Sequence, residues 1–219
     1  GKSGIAAAKM ILEMGGEALL YNSDENTDAG NVLSSFKETD KVELVTGELR
    51  PVHLRGVHLA VLSPGIPLSA DFINVLDRAK IPVIGELELA YQASKGSLAA
   101  ITGTNGKTTT TAIVGEIFKT FFDDVHVVGN IGNPFSAEAL STTDESVTVV
   151  EVSSFMLETI NDFRPHVSAI LNITPDHLDR HLSMSNYVRC KKAIAMNQTE
   201  SDYISLAPTI MKMSWPQLR

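Results

Sequence analysis

Residues 103–108 read Gly-Thr-Asn-Gly-Lys-Thr, with Thr109, Thr110 and Thr111 directly behind them. Gly103 and Gly106 let a backbone approach an anion closely, and the amides that follow would point at it from the start of a helix. A lysine at Lys107 can reach the outer phosphates of a nucleotide, and the Thr108 hydroxyl suits a magnesium ion. The general phosphate-loop pattern has a glycine five residues before Gly106, where this chain has Ile101, so the loop is the shorter Gly103-x-x-Gly106-Lys107-Thr108. An ordinary glycine turn would look alike locally. The apolar run Ser97–Thr102 before it and the helical spacing of Ile113, Val114, Ile117 and Phe118 after it supply the context that phosphate binding requires. The expected chemistry is nucleoside triphosphate binding through Gly103, Thr104, Asn105, Gly106, Lys107, Thr108 and Thr109.

Other side chains could complete such a site. The strand-like run Ser146–Val150 ends in Glu151, where a carboxylate suits a hard cation that prefers oxygen. Strand-like Val125–Val128 runs into Gly129-Asn130-Ile131-Gly132-Asn133-Pro134, a turn able to present amides to a ligand or to serve structure alone. The run Val167–Ile173 leads to Thr174-Pro175-Asp176-His177, and a histidine just past a strand can ligate metal or hold phosphate. His181 is a second candidate of this kind. His53, His58, His126 and His166 lack such a setting and are expected to be packing or surface residues. A helix expected over 185–197 carries Arg189, Lys191 and Lys192. A basic cluster is ordinarily a solvated face, but its nearness to the His177 loop favours one lysine turning inward.

These residues need a scaffold, and the first half of the chain offers one. Gly1-Lys2-Ser3-Gly4 opens a helix that Gly15-Gly16 closes, and Ala18–Tyr21 is a short strand. Glycine turn, helix and strand resemble a dinucleotide-type βαβ unit without its first strand. Asn22, Ser23 and Asp24 follow that strand, where such folds read a ribose or base; a solvated turn is the even alternative. A helix near 29–36, a strand near 42–45, a strand over 57–62, a helix over 71–79, a strand over 81–84 and a helical link over 86–93 follow in turn. Ser63-Pro64-Gly65-Ile66-Pro67 sits at a strand's carboxyl end, where open α/β sheets bind ligands. The alternation implies parallel strands. Ser94–Ser97 is the expected boundary, dividing residues 1–93 from residues 94–219.

Composition agrees. Of 219 residues, 43% are apolar and 20% charged, as in an ordinary globular protein. The net charge of −8 opposes nonspecific binding to nucleic acid or anionic membrane. A single cysteine, Cys190, precludes an internal disulfide and is consistent with a cytoplasmic setting. No apolar run approaches the ~18 residues of a membrane span. The opening on Gly1 and the tail from Ser205, with Pro208 and Pro216 and no clear periodicity, read as cut or altered ends.

Together these motifs resemble the Mur ligases, ATP-using enzymes that build the peptide of bacterial cell-wall precursors. The Gly103–Thr109 loop has the family's own spacing. Ser63-Pro64-Gly65-Ile66, Gly129-Asn130-Ile131-Gly132 and Glu151-Val152-Ser153-Ser154-Phe155 are similar to the branch that adds D-glutamate to UDP-N-acetylmuramoyl-L-alanine, and the likeness runs to about residue 204. It implies an α/β chain with an N-terminal Rossmann-like parallel-sheet domain and an incomplete P-loop NTPase-like central domain, acting as a monomer. It implies that Lys2, Ser3, Asn22, Asp24, Ser63, Pro64 and Gly65 contact the sugar nucleotide, and that Asn130 and Ser153 contact the acceptor. Lys107, His177 and Lys192 would be catalytic; Thr108, Glu151, His177 and Lys192 would serve two magnesium ions. Lys192, fifteen residues after His177, would be the family's carbamylated lysine, with Lys191 beside it as the alternative. Met156 stands where the branch has glutamine. The family's third domain is not in this chain, so little turnover is expected of it. Another Mur ligase, a folylpolyglutamate synthetase-like ligase and a non-catalytic nucleotide-binding fragment are the competing readings.

Overall fold

Three small side chains, Ala6, Ala7 and Ala8, together with Met10, form the buried stripe of the first helix, α1 (Lys2–Glu13). Gly15, at φ +84°, lets the chain leave the helix, and Gly16 N–H closes the end on Ile11 O at 2.9 Å. In the computed structural model, residues 1–130 and 132–211 are described, without the side chain of Thr209.

The first half continues as β1 (Ala18–Asn22), α2 (Ala29–Leu33), β2 (Val42–Thr46), β3 (Ala60–Leu62), α3 (Asp71–Arg78), β4 (Val83–Gly85) and α4 (Glu86–Ala93). The strands are parallel, as the alternation implies, but form two separate pairs, β1 with β2 and β3 with β4. Strand-forming pattern dictates that a segment is extended; which edges meet depends on tertiary packing. Strand β3 is shorter than the apolar run 57–62, because Val57 N–H is drawn into a turn on Leu54 O at 3.1 Å.

The second half is built on β5 (Ser97–Thr102), α5 (Lys107–Phe118), β6 (Val125–Gly129), β7 (Val147–Glu151), β8 (Val167–Ile170), α6 (Leu178–His181), α7 (Met184–Lys192), β9 (Tyr203–Leu206) and α8 (Pro208–Met211). Five parallel strands stand in the order β6-β7-β5-β8-β9. Every residue of β7 is buried, Thr148 and Glu151 included, as in an interior strand of a parallel sheet covered on both faces. The tail differs from its aperiodic appearance: Tyr203–Leu206 extends the sheet beside β8, although only alternate residues of it are partly shielded. Residues 212–219 lie outside the described residues.

One apolar core joins the halves. Ala7 and Met10 of α1 and Leu87, Leu89 and Ala90 of α4 pack in a cluster with Leu98, Val128, Phe135, Val150 and Ile170. Each of the buried Met, Leu, Val, Phe and Ile side chains contributes roughly 1.5–3 kcal/mol. A smaller cluster under α3 gathers Leu49, Leu54, Leu62, Ile73, Leu76 and Ile81. Helix α4 is also tied by side-chain hydrogen bonds. The fully buried Glu88 accepts the amides of Asn161 (2.8 Å), Asp162 (3.0 Å) and Phe163 (3.0 Å), and Glu86 accepts Ser136 N–H at 2.7 Å.

Candidate functional site

Strand β5 ends at the buried Thr102, and the chain must turn at once into α5. Gly106 makes that turn with φ +81° as the N-cap of α5, a left-handed conformation that a Cβ would strain. Gly103 is confined by packing instead: a Cβ there would stand 3.1 Å from Leu171 Cβ. Asn172, at the carboxyl end of β8, braces the loop. Its Oδ1 accepts the amides of Thr104 (3.1 Å) and Asn105 (2.8 Å), and its Nδ2 donates to Asn105 O at 2.9 Å. Thr104 Oγ1 lies 3.1 Å from the Tyr187 hydroxyl, and Lys107 Nζ donates to Thr104 O at 3.0 Å. The twelve-residue α5 directs its first amides and its dipole at the mouth of this loop.

Glu151 closes the floor. Only 1% exposed at the end of β7, it accepts the Thr108 hydroxyl through Oε2 and Asn130 Nδ2 through Oε1, both at 2.8 Å. Thr108, Glu151 and Asn130 thus stand in one hydrogen-bonded row from the phosphate loop to the Gly129 turn. Gly129, with φ +112°, permits the approach; a Cβ there would fall 2.3 Å from Glu151 O. Ile131 lies outside the described residues.

Asn130 faces a cleft of about 220 Å³ between the halves, shared with Lys2, Ser3, Ser63, Pro64 and Gly65 from the first half. Met156, 2% exposed, supplies apolar surface to it. Glu86 also lines it, and burial raises its carboxyl pKa above the usual range. Asn22 and Asp24 stand elsewhere, at the end of β1, where Asn22 Oδ1 accepts Asp24 N–H at 3.2 Å and Asp24 Oδ1 accepts Asn26 N–H at 2.9 Å. Ser153 Oγ accepts Met156 N–H at 3.3 Å.

The two candidate histidines occupy opposite ends of α6. His177, half exposed with φ +50°, begins the helix with its amide donating to Asp176 Oδ1 at 2.9 Å. Its ring stands 5.0 Å from that of Phe155. His181 is buried, 2.9 Å from Ser154 Oγ through Nε2, and burial lowers its pKa below the usual imidazole value. His181 Nδ1, Glu158 and Cys190 bring potential ligand atoms within 4.8 Å of one another. Glu158 is already paired with Arg180 at 2.7 Å, and burial raises the Cys190 thiol's pKa, which disfavours the thiolate that a metal would need.

Of the two adjacent lysines, Lys191 is the one that turns inward to the phosphate loop. Lys191, 1% exposed, donates to Gly103 O at 2.8 Å and stands 4.7 Å over the Tyr187 ring. Burial, helped by the nearby charge of Lys107, lowers its pKa to about 7. Lys192 follows one helical step of ~100° later and is half-buried on another side of α7. Spacing from His177 does not separate two adjacent lysines, whereas burial does. Asn172, Tyr187 and Arg180 were missed. Asn172 carried the one legible signal, a polar side chain at the carboxyl end of a buried parallel strand.

With this geometry in view, the comparisons with known proteins are specific. No helix among the described residues is long and apolar enough to cross a membrane. The UDP-N-acetylmuramoylalanine–D-glutamate ligase of Lachnoclostridium phytofermentans is 48% identical over 202 residues, 92% of this chain and 44% of the relative. The enzyme of the same name from Clostridioides difficile is 43% identical over 206 residues, 94% of this chain and 46% of the relative. The chain therefore spans less than half the length of these curated relatives. Two solved structures share the fold. The UDP-N-acetylmuramate:L-alanyl-gamma-D-glutamyl-meso-diaminopimelate ligase from Neisseria meningitides has a TM-score of 0.57 at 13% identity, over 93% of this chain and 67% of that one. The UDP-N-acetylmuramate-alanine ligase of Thermotoga maritima has a TM-score of 0.54 at 18% identity, over 94% of this chain and 47% of that one. The family model of the Mur ligase middle domain matches residues 101–211, from the last two residues of β5 through α8 and past the expected limit near 204, and the chain belongs to the Mur ligase family.

Proposed function

We propose that this chain carries the nucleotide-binding and acceptor-binding parts of an ATP-dependent ligase of the bacterial cytoplasm. In this reading the full protein, a monomer, adds D-glutamate to UDP-N-acetylmuramoyl-L-alanine through an acyl phosphate, a step of peptidoglycan precursor synthesis. Residues 1–93 take the sugar nucleotide and residues 94–219 take ATP. The observation that carries the reading is the row Thr108–Glu151–Asn130, which runs from the phosphate loop to the wall of the interdomain cleft.

The physical task is to gather a triphosphate, a carboxylate and a diphosphate that repel one another. Lys107, the Gly106–Thr109 amides and the α5 dipole supply fixed positive potential at the γ-phosphate. The donor set fits magnesium, since Thr108 and Glu151 offer the oxygen ligands that a hard cation takes, and His177 is assigned to a second ion. Magnesium ions bound there would neutralise phosphate charge and orient the transferred group. Asn130 and Ser153 orient the acceptor so that its carboxylate attacks the γ-phosphate in line and ADP leaves; the amino group of D-glutamate then attacks the acyl carbon, losing a proton as phosphate departs. Lys2, Ser3 and the Ser63–Gly65 loop hold the diphosphate, and Asn22 and Asp24 meet the uracil end.

Lys191 takes the role first given to Lys192. With a pKa of about 7 its amine is substantially neutral at physiological pH and can attack carbon dioxide. A nitrogen–carbon bond forms, a proton leaves, and the resulting carbamate is an anion beside the phosphate loop. That converts a cation into a group able to support a metal.

Thermal melts test the assignment. The midpoint should rise with UDP-N-acetylmuramoyl-L-alanine, and separately with Mg-ATP, because each ligand binds only the folded state. A chain that melts cooperatively without responding to the sugar nucleotide would remove the D-glutamate ligase reading.

A further inference from the structure

Arg180 lies on α6, three residues after His177, yet its side chain crosses to the first half of the chain. Nη1 donates to Gly65 O at 3.3 Å and Nη2 to Ile66 O at 3.1 Å. Nη2 also pairs with Glu158 Oε2 at 2.7 Å, and the guanidinium carbon stands 4.7 Å over the Phe155 ring. Both partners of the ion pair are well shielded, at 19% and 16% exposure. Only a planar fork with five donors can meet two carbonyls, a carboxylate and a ring face at once. Gly65 belongs to the wall of the cleft, and Phe155 stacks on His181 at 5.2 Å, whose ring stands 5.1 Å from that of Tyr187, the partner of Thr104 in the phosphate loop. A single side chain therefore joins the cleft wall to the rings that brace the phosphate loop.

Resting on the function proposed above, we infer that Arg180 couples the two binding events: a uridine-diphosphate sugar in the cleft and a magnesium nucleotide on the loop strengthen each other through it. A ligand that orders the Ser63–Gly65 loop fixes the guanidinium, and with it Phe155 and the start of α6. The second ligand then meets a wall whose ordering cost has already been met. The coupling must be reciprocal, since it is a free energy shared between two sites.

Calorimetric titration of the 219-residue chain tests this. UDP-N-acetylmuramoyl-L-alanine is titrated alone and with saturating magnesium and a non-hydrolysable ATP analogue, and the nucleotide is titrated in the reverse order. The expected result is an affinity gain of about fivefold, equal in both directions. In Arg180→Gln and Arg180→Lys the factor should fall to about one, while each ligand alone still binds. The lysine variant keeps the charge but cannot span the carbonyls and Glu158 together, so a merely electrostatic role would leave it coupled. If either variant fails to melt like the native chain, Glu158→Gln, which frees one side of the fork, should still lower the factor. Unchanged coupling in the folded variants overturns the inference, as does a native chain that binds both ligands independently. A native chain that binds neither ligand overturns the functional proposal itself, and the coupling with it.

Discussion

Lys191 is the side chain on which burial and charge act most strongly. In the folded chain its pKa lies near 7, whereas an unfolded chain returns it to the ordinary lysine value of about 10.4. Between those values the unfolded state binds a proton that the native state does not, so stability rises with pH across the window from about 7 to about 10.4. Below pH 7 both states are protonated and the burial cost is felt in full. Lys191→Met should therefore be more stable than the native chain near pH 7 in carbon dioxide-free buffer, with the gap closing toward pH 10 in urea titrations. The same variant should lose the carbamate carbon signal that carbon-13 bicarbonate gives by NMR, and Lys192→Met should keep it. Retention of that signal in Lys191→Met would return the assignment to Lys192. His181 acts in the same sense at lower pH. Its burial disfavours the imidazolium, so acidification below the unfolded value of about 6.5 weakens the fold.

At the scale of elements, the site depends on how strands end. Strands β5, β6, β7 and β8 are parallel, so their carboxyl ends place the phosphate loop, the Gly129 turn, Glu151 and Asn172 along one edge of the sheet. The register sets Gly129 opposite Glu151, and the absence of a side chain there lets Asn130 N–H reach Glu151 O at 2.9 Å. Gly129→Ala should cost about 2–3 kcal/mol, since it combines a left-handed backbone with a clash against a buried carbonyl. Urea denaturation would measure the loss. A cost below about 0.5 kcal/mol would mean that the turn relaxes and does not constrain Glu151.

At the scale of the molecule, α4 is the joint. Its leucines enter the shared core, and Glu88 satisfies three consecutive amides at 161–163 from the opposite side of the expected boundary. A carboxylate is the right group because it accepts only; a glutamine side chain in its place would turn an amide donor toward donors. Glu88→Gln should destabilise the chain by about 2–4 kcal/mol. The loss should appear equally in far-ultraviolet and tyrosine signals, because the two halves share a core. Separate transitions for the two signals would mean that the halves unfold independently.

Much of this was legible from residue order because local chemistry dictates it. A glycine loop between an apolar run and an amphipathic helix has few outcomes, and Gly103–Thr109 forms the expected turn at the head of α5. Ser146–Val150 followed by Glu151 likewise announces a buried strand bearing a carboxylate. Choices between neighbours were not legible. Lys191 and Lys192 have the same chemistry and nearly the same spacing, and only the orientation of α7 against β5 buries one at the loop. Strand pairing in the first half was equally closed to inspection, since apolar pattern specifies faces and not edges. Arg180 is the extreme case. Its partners Gly65, Phe155 and Glu158 are scattered along the chain, and a guanidinium takes up that position only when folding brings two carbonyls, a ring and a carboxylate within its reach.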